Sequence, residues 1–473
     1  MTDIWQMSAM GLLDGFADGS LSPVDAMKAV LDRVDAVNPI VNAIFELRAE
    51  EAMAAARASE VRWLAKAPSG ALDGLPVTVK DSIALAGWPY WRGTRGRIGT
   101  TSKDDAPPAA RLKEAGAIIF GKTTMPDYGL LPSGLSSAHG TTRNPWNFSM
   151  NTGGSSSGAA AAVASGMGPA SIGSDLAGSV RLPAAHCGIF GMKPSGGVVP
   201  HSPPSSTRVA GPLTRTVADA VLMLSVLSKP DKETGASGGS LPGVIPAADV
   251  QGMRIGLLIG KGFGDEVEAG VANPILRAAD LLRDAGAVVI EASDPVKTDL
   301  RGHLETVFAV KAAMERDELP RSARSETLEY ISSVCDAGDA VSAKRYVEAM
   351  EGIERAKAVY RDSLSGFDLV ISPVMPVTGF PAEALGARQD SPLHHLSYTA
   401  LTNQLGWPAA SIFCGFAPDG LPVGLQITGK NGKDVDVLAL AAWYERARGF
   451  EAGFPYPMND LGDKLNVKLI SNS

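Results

Sequence analysis

The sequence predicts an α/β layered protein folded as one domain, and three observations carry that prediction. Hydrophobic residues make up 45% of the 473 and charged residues 20%, the balance of a chain with a large buried core. From residue 75 onward, short apolar runs cut by glycine and proline alternate with helical segments, the texture of strands and helices in layers. The same alternation resumes after the Gly-, Pro- and Ser-rich stretch 229–250, which is therefore read as a surface excursion within one domain 1–473, although its composition would also suit a domain boundary.

Residues 1–70 read as N-terminal helices. Ser22 precedes Pro23 at a first helical position, with Asp25 three residues after Ser22, a start resembling a capping box. Val24, Met27, Leu31 and Val34 recur at helical spacing, and Asn38-Pro39 is expected to end the segment. Alanine-rich Ala52 to Ala65 is a second helix, and both are expected outside a sheet. Within 71–228, Leu75 to Val79 and Ala117 to Phe120 read as buried strands with a helix from Ala109 to Glu114 between them. Ala159 to Ala164 is a good helix former, and Ser171 to Ser174 resembles a strand end. In 251–473, Arg254 to Ile259 reads as a strand, followed by a helix to Ala285 with Asn273 as its N-cap and Pro274 at its first position. Ala287 to Ile290 is a strand, 299–365 is mostly helical, and Leu369 to Ile371 is a further strand.

Composition also bounds function. A net charge of −8 and the lack of any Lys/Arg run argue against nucleic-acid binding. Cys187, Cys335 and Cys414 are far apart and odd in number, so neither a disulfide framework nor a metal site follows; reduced thiols in a cytoplasmic protein are expected. The start Met1-Thr2-Asp3-Ile4-Trp5 lacks a signal-peptide pattern, and no run of about 18 apolar residues suggests a membrane span.

Two motifs mislead. Gly116 to Thr123 matches the Walker A pattern letter for letter, yet its intervening residues are apolar strand formers and Met125-Pro126 follows where a helix should begin. Gly154-Ser155-Ser156-Ser157-Gly158 matches a nucleophile elbow centred on Ser156, but Asn147 to Thr152 is no hydrophobic strand. His394 or His395 would have to complete that triad, and paired loop histidines are more often solvated.

The informative segment is Gly153 to Pro194. A flexible linker would not usually carry Asp175, Arg181, Cys187 and Phe190 among its small residues; small side chains here let backbone approach a substrate closely. The runs Gly153-Gly154-Ser155-Ser156, Gly173-Ser174-Asp175, Gly178-Ser179-Val180-Arg181-Leu182-Pro183, Cys187-Gly188 and Gly191-Met192-Lys193-Pro194 resemble the signature of the amidase signature family. Gly74 to Asp81, Gly121-Lys122-Thr123, Arg143-Asn144-Pro145-Trp146, Gly406 to Ala409 and Gly420 to Gln426 extend the likeness over most of residues 20–445.

The resemblance implies a central twisted mixed β-sheet covered by helices on both faces. It implies a catalytic set of Lys80, Ser155 and Ser179, with a cis peptide at Gly154–Ser155, no metal and no cofactor. Lys80 would act as a neutral base through Ser155, and Ser179 would be the nucleophile. That requires a strongly lowered lysine pKa, which burial at the end of an apolar strand would supply. Strand alternation is expected to turn neighbouring Asp81 to the opposite face. The oxyanion would sit against the N–H groups of Leu176, Ala177, Gly178 and Ser179, on a loop supported by Ser156 and by an Asp175–Arg181 pair, for which an ordinary surface salt bridge is the alternative.

The segment departs from the family pattern at Ala177, which stands where the family has glycine, and at Thr152, Ser157 and Phe413-Cys414. No departure removes a catalytic atom; Ala177 puts the shape of the oxyanion loop in question. Leu182 stands where amidotransferase A subunits commonly have Gln, which favours a stand-alone hydrolase. Tyr128, Gly129, Leu130 and Leu131 lie where relatives often line an acyl pocket, suggesting a hydrophobic or aromatic acyl group, though core packing explains them equally well. The overall likeness is to bacterial acylamidases and hydrazidases, so a small amide or acyl hydrazide is the expected substrate, with a homodimer by the same likeness. The rivals are an A-type subunit of a tRNA-dependent amidotransferase, a Ser-His-Asp esterase and a catalytically silent binding subunit.

Overall fold

Eleven strands form one mixed sheet in the computed structural model, which describes residues 3–231, 238–260, 266–293, 296, 299–388 and 391–455. In chain order they are β1 (Ile44–Leu47), β2 (Pro76–Lys80), β3 (Ile118–Thr123), β4 (Ala170–Asp175), β5 (Phe190–Lys193), β6 (Val209–Thr214), β7 (Arg254–Leu257), β8 (Val288–Glu291), β9 (Leu369–Pro373), β10 (Ala409–Phe416) and β11 (Pro422–Gly429). Across the sheet the order is β1-β3-β2-β4-β6-β5-β10-β11-β9-β7-β8. The pairs β2/β3, β2/β4, β7/β8 and β7/β9 are parallel; the others are antiparallel. This is the expected α/β fold with a mixed central sheet.

Helices cover both faces. Ile118 and Phe120 pack with Met27, Val30 and Val34 of the helix Pro23–Val41, while Val77 and Val79 join a core with Val217 and Leu224 of the helix Val217–Leu227. β2 is buried at every position, as a parallel strand covered on both sides must be.

Several helix boundaries differ from expectation, by two residues at the starts of Pro107–Glu114 and Ser157–Ala164 and by more elsewhere. The helix that starts at Pro23 follows an α-helix at Ala9–Asp18, runs through Pro39 to Val41 and ends at Asn42 in the left-handed region. The side chain of Asn38 accepts the N–H groups of Ala43 and Ile44, which closes the end without a break at the proline. The second expected helix is Ala49–Leu64. The helix expected to start at Asn273 is Ala269–Asp284, so Pro274 lies inside it. Val271, Pro274 and Ile275 are all buried, so tertiary packing outweighs the local start signal. Within the excursion 229–250, residues 232–237 lie outside the described residues.

The topology matters for the site because β2 and β4 are parallel neighbours, with Val79 opposite Ile172. Their carboxyl ends therefore deliver Lys80 and the pair Ser174-Asp175 to one edge, where α/β sheets place their ligands.

Candidate active site

Lys80, the last residue of β2, is fully buried. Its Nζ lies 2.8 Å from Ser155 Oγ, 3.1 Å from Ser174 Oγ and 3.3 Å from the Ser174 carbonyl. None of these partners is a carboxylate. Burial holds the ammonium well below the ordinary lysine range, and Arg92 and Arg208 add to the effect against the pull of Asp175 and Asp81. A neutral amine has two N–H donors and one lone pair. It can donate to both Ser174 oxygens and accept the Ser155 hydroxyl proton.

Asp81 turns away from Lys80. Its carboxylate accepts the N–H groups of Trp91 and Gly93 and lies 3.2 Å from His139 Nε2. His139 stacks against Trp91 and packs on Phe45, so this His–Asp pair braces a turn. Lys122 of the Walker-like run donates to the carbonyls of Asp81, Ile83 and Pro89, and its segment is strand β3, not a phosphate loop.

Ser155 follows a cis peptide from Gly154. The next residue, Ser156, begins the buried helix Ser157–Ala164 as its N-cap, and its N–H donates to the Ser179 carbonyl at 3.1 Å. The strand before it, Asn147–Asn151, pairs with Arg143–Asn144 and bridges Pro381, outside the main sheet, so no nucleophile elbow forms. Between residues 170 and 194 every residue is buried except Leu176 and Ser179, which are partly exposed. The geometry thus gathers Lys80, Ser155 and the 175–181 loop in one place, with Ser179 at its accessible face.

Asp175 organises that loop. Its carboxylate accepts the N–H of Gly178 at 2.7 Å and of Val180 at 3.1 Å. Gly178 is therefore not free to donate to an oxyanion, a correction to the four donors expected. Among the described residues the N–H groups of Leu176, Ala177 and Ser179 have no such partner. Gly178 sits at φ +124, where a Cβ would meet Thr399 Oγ1 at 2.5 Å. Ala177 is not at positive φ, so its Cβ causes no conflict; it packs with Leu182 and Leu396. The glycine this loop needs is the second of the pair.

Asp175 and Arg181 are both fully buried, which rules out the surface-bridge reading. Arg181 donates through Nε and Nη2 to both Asp175 oxygens, and onward to Thr402, Gln426, Asn403 and the Thr399 carbonyl. Burial pushes the Asp175 carboxyl up, but Arg181 outweighs it and holds the group below the usual range. Thr399 Oγ1 in turn donates to the Ala177 carbonyl at 2.5 Å. Thr399, Thr402 and Asn403 escape sequence reasoning because nothing local marks them, and Ser174 and Gln426 lie in quoted motifs without being singled out for these contacts.

A narrow cleft of about 30 Å³ beside Ser179 is lined by Leu130, Leu131, Leu176, Leu182, Phe308 and Leu396, with Gly129 at its edge. It adjoins a cavity of about 440 Å³ that shares Leu130, Phe308 and Leu393. Tyr128 does not line the cleft; it packs with Ala312, Leu319, Ile331 and Cys335. His394 is buried in the short helix Pro392–Leu396, whose cleft-lining residues are Leu393 and Leu396; the side chain of His395 lies outside the described residues. Among the described residues no cluster of three or more His, Cys, Asp or Glu is placed to hold a metal ion. Nor is any helix there long and apolar enough to cross a membrane.

A family model described as Amidase matches residues 25–438. The chain belongs to the amidase signature family. This amidase is 32% identical to an acylamidase of Rhodococcus erythropolis, over 93% of the chain and 95% of the relative. It is also 32% identical to the A subunit of a glutamyl-tRNA(Gln) amidotransferase from Chloroflexus aurantiacus, over 94% and 97%. A solved bacterial aryl acylamidase of the amidase signature family superposes with a TM-score of 0.87 at 26% identity, covering 95% of this chain and 98% of that one. The amidase is thus a carbon–nitrogen hydrolase by family, equally similar to stand-alone acylamidases and to amidotransferase subunits.

Proposed function

We propose that this amidase works alone, hydrolysing the C–N bond of a small amide or acyl hydrazide with a hydrophobic or aromatic acyl group. The observation that carries the reading is a buried Lys80 hydrogen-bonded to Ser155 with no carboxylate partner. Ser179 Oγ attacks the acyl carbon and passes its proton to Ser155, whose own proton moves to Lys80 Nζ. The tetrahedral oxyanion takes the N–H groups of Leu176, Ala177 and Ser179. Lys80 then returns the proton through Ser155 to the leaving nitrogen, and the amine or hydrazine departs. Water enters by the same relay and releases the acid from the acyl-enzyme.

The apolar cleft supports a hydrophobic acyl group, and Leu182 on its wall supports the stand-alone reading over the amidotransferase one. The test is a panel of amides, anilides, esters and acyl hydrazides given to the isolated chain, with Ser179→Ala as the blank. Turnover of an anilide or hydrazide without a partner chain, absent in the blank, is the expected result. No turnover of any member, with activity appearing only beside an added partner, would favour the amidotransferase reading.

A further inference from the structure

One corner beside the reaction centre carries charge that takes no part in the proton transfers of the relay. We propose that Arg92, Arg208 and Lys311 form a recognition site for a carboxylate on the leaving-group side of the substrate. The placement on the leaving-group side rests on the reading above, in which the apolar cleft holds the acyl group.

The helix Leu300–Asp317 sets the geometry. Phe308 lines the Ser179 cleft, and Lys311 and Glu315 follow it three and seven residues on, along the same helical face. Along the helix axis, roughly 5 Å therefore separates the backbone of Phe308 from that of Lys311. Arg92 comes from the turn after β2, where Asp81 holds the N–H groups on either side of it. Its guanidinium grips Glu315 through Nε at 3.0 Å and through Nη2. Arg208 arrives from the far side, with Nη2 3.7 Å from the same carboxylate.

Glu315 is thus the one carboxylate shared by Arg92 and Arg208, while Lys311 makes no hydrogen bond or ion pair among the described residues. The other groups facing the corner do not neutralise it. Tyr90 interacts with Arg92 and Arg208, and burial together with Arg208, Arg92 and Lys80 keeps His201 neutral, its pKa pushed down to about 4. Burial likewise lowers Arg208, helped by Arg92, and lowers Lys311, helped by Arg208, both against the weaker pull of Glu315. Partly buried like charges repel, and an incoming anion would relieve that repulsion.

Arg208 and Lys311 hold donors to spare, and Glu315 anchors Arg92 so that it adds field without closing the site. The corner also lies within electrostatic reach of Lys80, whose pKa both arginines lower further than burial alone does. A substrate with an apolar acyl group and an acid on its amine, such as an N-acyl aminobenzoate or N-acyl amino acid, matches both walls.

The test compares 4-(hexanoylamino)benzoate with its neutral isostere 4-(hexanoylamino)benzamide on the full chain. A preference for the carboxylate of about tenfold or more in kcat/KM, mainly through KM, is expected. It should fall toward one in Lys311→Met and in Arg208→Gln, with Lys311→Gln as a milder second variant. Binding of the same pair to Ser179→Ala, followed by calorimetry, reads the site without turnover. Tighter binding of the benzoate that is lost in the Lys311 and Arg208 variants supports the site even if neither compound is hydrolysed, and then only the proposed activity fails. Equal binding, or a preference that survives in both variants, overturns the site.

Discussion

The hydroxyl of Thr399 donates to the carbonyl of Ala177 at 2.5 Å, tying the loop beside Ser179 to a segment 222 residues further along the chain. That bond fixes the peptide whose N–H belongs to Gly178 and whose neighbours are the free donors of Leu176, Ala177 and Ser179. Thr399 is a positioning residue. Thr399→Val keeps the shape and removes the donor, which should cost about 1 kcal/mol of stability. We expect kcat to fall on the order of tenfold with KM little changed, and Thr399→Ser to restore it. A purely structural role would lower stability without that kcat-against-KM split.

The two residues after Leu176 should respond in opposite ways to substitution. Gly178→Ala places a Cβ against Thr399 at a φ of +124 and should cost about 1–3 kcal/mol, with a matching fall in kcat. Ala177→Gly should leave kcat within about threefold, since Ala177 occupies ordinary backbone and glycine there costs only conformational entropy. Steady-state kinetics with thermal unfolding on both variants settles the order.

The relay requires a neutral lysine, so activity should be present above the Lys80 pKa and lost as pH falls through it. Arg92 is the largest charge holding that pKa down. Arg92→Met should therefore shift the acidic limb of kcat/KM on a neutral substrate to higher pH. A limb that stays in place would remove Lys80 as its origin. Lys80→Ala itself should lower kcat by at least about 10³-fold.

Asp175 and Arg181 should behave as a buried pair. Asp175→Asn leaves the guanidinium without its charge partner and should cost about 3–5 kcal/mol in denaturant unfolding. The same change frees the Gly178 loop, so activity should fall further than the loss of folded protein explains.

Lys193 offers a test through stability alone. It is buried, donates to the Pro194 carbonyl, and burial lowers its pKa to about 7. Between that value and the ordinary lysine pKa of about 10.4, the unfolded chain binds a proton that the folded chain does not. Unfolding free energy therefore rises with pH across this window. Relative to wild type, Lys193→Met should be most favourable at or below pH 7, with its advantage shrinking toward pH 10 in urea titrations.

Much of the fold was legible locally. β2 and β3 read as strands because buried parallel strands are continuous apolar runs. β4 was visible only as a strand end at Ser171 to Ser174, since alanine, serine and glycine carry no periodic signal. Pro39 and Pro274 suggested a helix end and a helix start, yet both lie inside helices, because Asn38 closes one end and core packing holds the other.

The sequence by itself determined the family, the α/β class, and Lys80, Ser155 and Ser179 as the catalytic candidates, because the serines sit in contiguous runs of small residues and the lysine closes an apolar strand. Only the tertiary structure decided that Gly178 is spent on Asp175, that Arg181 is buried in a network with Thr402, Asn403 and Gln426, and that Tyr128 packs behind Leu131 without lining the cleft. It also decided which cations gather around Glu315. Hydrogen bonds and charge fields join residues that are close in space, and partners two hundred residues apart leave no local pattern to read.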